Sequence, residues 1–272
     1  MKTRLTILLT ALVSTVSLTS CYAQSYSYGG AQDRVRERGV SVEATSSDIS
    51  YNLDLRAVAS VFEDSRDLEE FERRINDYDE SINNLDLNQD GQVDYLRVIE
   101  AEKGNSKLVV LQAVLDRDIF QDVASIVVER RWNSRTYVQI VGDPFLYGPY
   151  YIIEPVYVYT PSIFSFFWGP RYYRWHSPYY WGYYPSYFHY YHPRPMHMYV
   201  TNINVYVDKH RNTYRYSDRI RSEHYNDMRR EVSRTDYERR NPSQSFSNRV
   251  GNSGKVSNRR DLGDLNNQGR VS

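Results

Sequence analysis

Hydrophobic residues first recur at helical spacing between residues 55 and 75. Positions i, i+3, i+4 and i+7 lie on one side of a helix, and this pattern occurs twice, with a break near Asp64 and Ser65. We therefore predict two short amphipathic helices that each bury one face. The two faces consist of Leu55, Val58, Ala59 and Phe62, then Leu68, Phe71 and Ile75.

Residues 94–142 change to short apolar runs separated by polar turns. Connections this short join antiparallel neighbours, so the pattern predicts a β-meander. Helices covering one face of such a sheet give an α+β domain, which we place at residues 47–146. The runs lie at 94–99, 108–115, 124–128 and 136–141, and the turns at 103–106, 116–118 and 133–134.

Residues 147–207 hold more than half of the chain's 27 tyrosines and most of its prolines. Repeated proline disfavours long helices and central strands, so we predict an aromatic, Pro-rich irregular segment. Val156 and Val158 alternate with tyrosines, which predicts an edge strand. A second alternation, over residues 203–207, predicts a strand that returns to the sheet.

Residues 208–272 are rich in Arg, Ser and Asn, and we predict a largely disordered tail. Tyr225, Met228 and Val232 could line one face of a weak helix. The chain as a whole has 34 basic and 34 acidic residues, so its net charge indicates no particular partner. The arginines of the tail are expected to be solvated, with contact to anionic envelope polymers or lipid head groups as the alternative.

The first 20 residues have the pattern of a bacterial signal peptide. Lys2 and Arg4 precede an apolar run, and the run ends in a motif that resembles a lipobox, Leu18-Thr19-Ser20-Cys21. Cys21 is the only cysteine, and it is the predicted lipidation site. Cleavage after Ala23 is the alternative, whereas an uncleaved anchor is disfavoured because the apolar run is too short to span a bilayer.

These features predict an exported protein of the outer membrane or periplasm. Residues 21–46 show neither the helical nor the strand spacing of hydrophobic residues. They would serve as a flexible tether between the lipid on Cys21 and the domain. Without lipidation the protein would be soluble in the periplasm or secreted. Because the protein is exported, we expect no nucleic-acid partner.

The strongest chemical motif is an acidic loop over residues 86–94. Oxygen-bearing side chains at its alternate positions converge when the chain coils tightly, and Gly91 permits the sharp turn. Hard oxygen ligands in this number suit Ca²⁺. The predicted ligands are Asp86, Asn88, Asp90, Gln92 (through its carbonyl) and Asp94, and carboxylates near the loop could complete the set: Asp77, Asp79 and Glu80.

The loop resembles the D-x-[DN]-x-D-G calcium sites, although not a full EF-hand. Arg97 occupies the twelfth position, where an EF-hand has a bidentate Glu, and the following residues have a strand pattern. The loop is more similar to nine-residue β-hairpin loops of the FG-GAP and integrin type. The resemblance implies a structural calcium site and no fold, and an acidic turn held by hydrogen bonds without metal remains the alternative.

The aromatic segment has four interpretations, three of which concern its rings. Its rings could form a recognition surface for sugars or proteins, could extend the core of the meander, or could promote self-association. A fourth reading, a Zn or Cu site, is disfavoured because no Cys or acidic residue lies close to His176, His189, His192 and His197. The candidate ligand-binding residues are Trp168, Tyr172, Trp175, Tyr179 and Trp181.

The sequence contains no established catalytic motif. Between Asp143 and Asp208 the only carboxylate is Glu154, so the aromatic segment lacks the pair that a glycosidase uses. In the order of its parts over residues 50–200, the chain resembles a family of bacterial cell-envelope proteins with one D-x-N-x-D-G loop before a short sheet and a Tyr/Trp/Pro-rich stretch. That resemblance implies no activity. We expect a non-enzymatic envelope lipoprotein that binds glycan or protein, with a hydrolase of envelope polysaccharide or peptidoglycan as the alternative.

Overall fold

Six strands form one antiparallel sheet in which each strand lies beside the next one along the chain. The computed structural model describes residues 48–131, 135–209, 211–251 and 256–262. The predicted signal peptide, Cys21 and the predicted tether therefore lie outside the described residues. The strands are β1 (Tyr95–Lys103), β2 (Ser106–Asp116), β3 (Ile119–Arg130), β4 (Thr136–Gly142), β5 (Ile152–Val156) and β6 (Thr213–Ser217).

The first three strands are joined by the polar turns that the sequence predicts. Lys103 pairs with Ser106 across a two-residue turn, and Asp116 pairs with Ile119 across another. These tight connections make β1, β2 and β3 antiparallel, which confirms the predicted meander. The turn predicted at residues 133–134 lies outside the described residues.

Eight α-helices with described bounds accompany the sheet, and residues 259–262 are also helical. The predicted pair is present, and each of these two helices begins at an aspartate cap: Asp54 accepts from the amide of Arg56, and Asp67 from that of Glu70. The helices are α1 (Leu55–Asp64), α2 (Leu68–Ile75), α3 (Pro144–Tyr147), α4 (Ile163–Phe167), α5 (Met196–Lys209), α6 (Tyr225–Val232), α7 (Asp236–Arg240) and α8 (Phe246–Val250).

The main core lies between one face of the sheet and helices α1, α2 and α5. Leu96 and Val98 of β1 point into it together with Phe62 and Phe71, whose rings meet edge to face at 5.3 Å. On the opposite face, Tyr225 and Met228 of α6 pack in a smaller apolar cluster with residues of β1 to β5. Both faces of the sheet are thus covered.

The structure departs from the sequence expectations after residue 150. The strand predicted at residues 203–207 is wrong, because these residues belong to helix α5. The predicted edge strand begins earlier, as β5, and lies inside the sheet between β4 and β6. Residues 211–251 also differ from the expected disordered tail, since they contain β6 and three helices, among them the predicted one at Tyr225–Val232.

The α+β class is confirmed, with helices packed on an antiparallel meander. The sheet has six strands, as many as the sequence predicts, but its last strand is β6 rather than residues 203–207. Among the described helices, none combines the length and the apolar character that crossing a bilayer requires.

Candidate functional site

The acidic loop coils so that its polar side chains bond to its own backbone. Both carboxylate oxygens of Asp86 accept amide protons, from Asp90 at 3.1 Å and Gly91 at 3.0 Å. Asn88 accepts from the Asp90 amide at 3.1 Å, and Asp90 accepts from the Gln92 amide at 2.9 Å. Gly91 has φ of +85°, a conformation that glycine adopts at little cost.

The carboxylates of this loop repel one another. Asp94 is buried, and burial together with the charges of Asp86 and Asp90 raises its pKa well above the ordinary value. Burial and the charge of Asp90 likewise raise the pKa of Asp86. A bound divalent cation would relieve this repulsion, so the electrostatics of the loop fit the predicted metal.

The donor set also fits calcium in chemical type, since it combines carboxylate, amide and carbonyl oxygens. In the described residues, however, no group of three or more His, Cys, Asp or Glu side chains is gathered as metal ligands would be. Calcium binding would thus require the loop carboxylates to turn toward a shared ion. Asp77 and Glu80 pair instead with Arg73 and Arg74, so the structure does not bring these two carboxylates into the loop.

The loop is also a junction between distant parts of the chain. The amide of Val93 donates to the carbonyl of Tyr191 at 2.8 Å, and Nδ1 of His192 lies 2.5 Å from the carbonyl oxygen of Gly91. The hydroxyl of Tyr237 in α7 donates to the carbonyl of Leu87 at 2.6 Å. The loop thereby joins the end of the aromatic segment and the C-terminal helices to the start of β1.

A buried carboxyl on α2 attaches the aromatic segment to the domain. Glu72 is 1% exposed and accepts four hydrogen bonds. Its Oε1 accepts from the hydroxyls of Tyr95 at 2.7 Å and Ser177 at 2.6 Å. Its Oε2 accepts from Nε1 of Trp175 at 2.9 Å and from the amide of Val98 at 3.0 Å. Burial raises the pKa of Glu72 to about 7, against the lowering effect of these donors.

The aromatic segment also pairs with the outer edge of β1. The amide of Glu100 donates to the carbonyl of Trp175 at 3.0 Å, and the amide of Ser177 donates to the carbonyl of Val98 at 3.0 Å. Ile99 and His176 form the bridge between these bonds. The segment thus covers part of a sheet edge that would otherwise expose unpaired backbone groups.

Four of the five predicted ligand-binding residues have mainly structural contacts. Tyr172 donates to Glu100 at 2.9 Å, and Trp175 donates to Glu72. Trp168 packs edge to face on Phe167 with ring centroids 5.9 Å apart. Tyr179 packs on the buried ring of Tyr95 at 5.7 Å. The packing of these four residues agrees with the interpretation of the segment as an extension of the core.

Trp181 differs, because it lies at the tip of a hairpin in solvent. Tyr180 and Tyr183 exchange two backbone hydrogen bonds, of 3.1 and 2.8 Å, around Trp181 and Gly182. Their rings lie 5.2 Å apart. We name the aromatic surface by its exposed rings, which range from 36% to 57% accessible: Tyr173, Tyr180, Trp181, Tyr183, Tyr187 and Tyr190.

The structure does not gather the four histidines of the segment. His176 pairs with β1 through its backbone, and His192 contacts the acidic loop. Burial and the nearby arginines Arg97 and Arg174 lower the pKa of His176. His189 and His197 are exposed.

The carboxylates of the sheet face other groups of the protein. Glu154, the one carboxylate of the aromatic segment, accepts two hydrogen bonds from Arg221. Asp143 binds Arg229 at 2.7 Å, although burial still raises its pKa to about 7. Sequence reasoning missed Glu72, because two of its four partners, Trp175 and Ser177, lie more than 100 positions away. Only its place beside Leu68 and Phe71 on the apolar side of α2 indicated burial.

Comparisons with known protein families, with curated proteins and with solved structures find no match to this chain.

Proposed function

We propose that the protein is a non-enzymatic cell-envelope lipoprotein whose calcium-stabilised α+β domain presents an aromatic surface to glycan. The observation that carries this proposal is the hairpin of residues 180–183, which holds three aromatic rings in solvent on a short, hydrogen-bonded turn. Folding normally buries such rings, and their flat faces with polar edges suit sugar rings. The lipid on Cys21 would keep this surface near the membrane.

The attachment of the segment supports a binding role. The buried carboxyls of Glu72 and Glu100 accept hydrogen bonds from Trp175 on both its indole and its backbone amide. A surface held by buried contacts loses little conformational freedom when it binds a ligand, which favours affinity. Calcium would contribute by stabilising the loop that contacts the other end of the segment, at Tyr191 and His192.

Titration of the full chain with soluble glycan tests the proposal. Peptidoglycan fragments and chitotetraose are the probes, and titration calorimetry reports binding, because that readout does not depend on the tryptophan that is replaced. Trp181→Ala should weaken binding by a factor on the order of 30, equivalent to about 2 kcal/mol for an aromatic residue at the centre of a contact. Tyr180→Ala should weaken it less.

Tyr159→Ala is the matched control, because Tyr159 is 70% exposed and lies outside the hairpin. Its affinity for glycan should equal that of the unchanged protein. Equal affinity of the Trp181→Ala protein would contradict the proposal, as would the absence of binding to either probe. Cleavage of a probe during the titration would instead favour a hydrolase.

A further inference from the structure

A cavity of about 530 Å³ opens beside β6, the outermost strand of the sheet. Its walls come from three separate parts of the chain: the region around β5, the strand β6 with the loop that follows it, and residues 258–260. This volume lies within the range of small-molecule sites. Four arginines line the cavity: Arg215, Arg219, Arg221 and Arg260.

Among the described residues, one of these arginines forms an ion pair, whereas Arg215 and Arg260 only have a carboxylate nearby, Glu154 across the β5–β6 pair and the adjacent Asp261. Arg221 forms a two-pronged pair with Glu154, at 2.7 Å from Nε and 2.8 Å from Nη2. Across the described ranges, no ion pair involves Arg215, Arg219 or Arg260. The only other carboxylate of the lining is that of Asp218. The cavity therefore carries an excess of positive charge.

A buried glutamine, Gln139, fixes the position of the arginine-bearing loop that follows β6. Nε2 of Gln139 donates to Glu154 at 2.7 Å and to the carbonyl of Arg219 at 3.0 Å. Its Oε1 accepts from the amide of Arg221 at 2.8 Å. Because Gln139 is 3% exposed, these bonds fix the loop after β6 to β4 and β5. The loop is thus ordered although it concentrates like charges.

Aromatic rings stand beside the guanidinium groups. The ring of Tyr216 lies 4.7 Å from the guanidinium carbon of Arg260, and Tyr150, 69% exposed, lines the same cavity. Stacking against Tyr216 restricts the arginine side chain. An arginine restricted in this way presents its planar donors to an anion at lower entropic cost.

We propose that this cavity binds an anionic sugar, a ring that carries a carboxylate or a phosphate group. Arginine donors match the geometry of both anions, while the tyrosines suit the faces of a sugar ring. Four arginines against two carboxylates leave the lining with a net positive charge, which a bound anion would offset. The cavity shares no residue with the aromatic surface, so this inference stands independently of the proposed function.

Titration calorimetry of the full chain at low ionic strength tests the inference. The probes are glucuronate, glucose 6-phosphate, neutral glucose and inorganic phosphate. The two charged sugars should bind at least tenfold more tightly than either glucose or phosphate alone. Added salt should weaken the binding of the charged sugars. The Arg215→Gln/Arg260→Gln protein should lose at least tenfold in affinity for both charged sugars.

The matched control is Arg117→Gln/Arg240→Gln, which removes two exposed arginines outside the cavity. It should bind the charged sugars as the unchanged protein does. If both double variants lose the same affinity for the charged sugars, the binding depends only on the overall charge of the protein, and the inference is overturned. Equal affinity for phosphate and glucose 6-phosphate would exclude recognition of the sugar. A preserved thermal midpoint in the cavity variant is expected, because neither arginine is ion-paired, and it separates lost binding from lost folding.

Discussion

Glu72 places an ionisable carboxyl where solvent does not reach it. Four donors surround it, and the hydroxyls of Tyr95 and Ser177 can also accept a hydrogen bond, so the site accommodates the protonated acid as well as the anion. Desolvation outweighs the donors and raises the pKa to about 7. The protonation state of Glu72 therefore contributes to the stability of the contact between the aromatic segment and the α+β domain.

The pH dependence of unfolding tests this description of Glu72. The folded state keeps the proton up to about pH 7, whereas the unfolded carboxyl loses it near the ordinary glutamate pKa of 4.5. The stability of the unchanged protein relative to Glu72→Gln should consequently fall between pH 4.5 and 7 and stay constant above. The total change is on the order of 3 kcal/mol. Urea unfolding at pH 4.5, 6 and 8 measures it.

Glu223→Gln provides the control for this series, since that side chain is exposed. Its difference from the unchanged protein should vary much less with pH. Asp143, whose pKa is also about 7, is present in every variant and cancels from each difference. A difference between the unchanged and Glu72→Gln proteins that is the same at all three pH values would contradict the raised pKa.

At the scale of elements, the sequence predicts what depends on local pattern. Helices α1 and α2 and the strands up to β4 follow from periodicity and short polar turns. The alternation of Ile203, Val205 and Val207 favours a strand, although the buried residues of α5, Tyr199 and Ile203, have the helical spacing of four. Residues 211–251 contain regular structure because the distant sheet supplies an apolar partner for Tyr225 and Met228, and no local pattern contains that information.

The docking of the C-terminal residues beside α3 can be tested at Gly148. A Cβ atom there would lie 2.4 Å from the carbonyl oxygen of Ser257 and 2.7 Å from Cα of Asn258. Gly148→Ala should therefore displace residues 257–258 and destabilise the protein by about 1 kcal/mol or more beyond the backbone cost of its positive φ. Thermal unfolding measures the loss.

Gly182→Ala is the matched control for that substitution. Gly182 also has a positive φ, of +80°, but no atom lies within 4 Å of its ideal Cβ position. The Gly182→Ala protein should lose only the stability that an alanine at positive φ costs. Equal losses in the two variants would show that residues 257–258 do not pack against Gly148.

At the scale of the whole molecule, the acidic loop contacts parts of the chain that are far apart in sequence. Asn88 donates to the carbonyl of Leu115 in β2 at 3.0 Å, while Tyr191 and Tyr237 reach the loop from the aromatic segment and α7. The motif could be recognised from its nine residues. Its role as a junction could not, because each partner is distant in sequence.

Calcium should accordingly stabilise the molecule as a unit. A site with affinity in the weak extracellular range, about 10⁻⁴ to 10⁻³ M, gains about 2.7 kcal/mol at a calcium concentration 100 times Kd. For a protein of this size the thermal midpoint should rise by several degrees relative to chelator. Calorimetry of the full chain measures both midpoints.

Asp90→Ala should abolish that rise. Asp116→Ala, which removes an exposed carboxylate from the turn between β2 and β3, should retain it. If calcium does not shift the thermal midpoint of the unchanged protein, the loop is an acidic turn held by its own hydrogen bonds and not a calcium site. A shift that persists in the Asp90→Ala protein would place the metal elsewhere.

The connection between β5 and β6 bears on the order in which the protein folds. Strands β1 to β3 pair through two-residue turns, whereas β6 pairs with β5 only after the chain has closed a loop over residues 157–212. Local pairings form early, and closing a long loop costs more entropy. The meander should therefore assemble first, and the arginine-lined cavity beside β6 should form among the last features of the native protein.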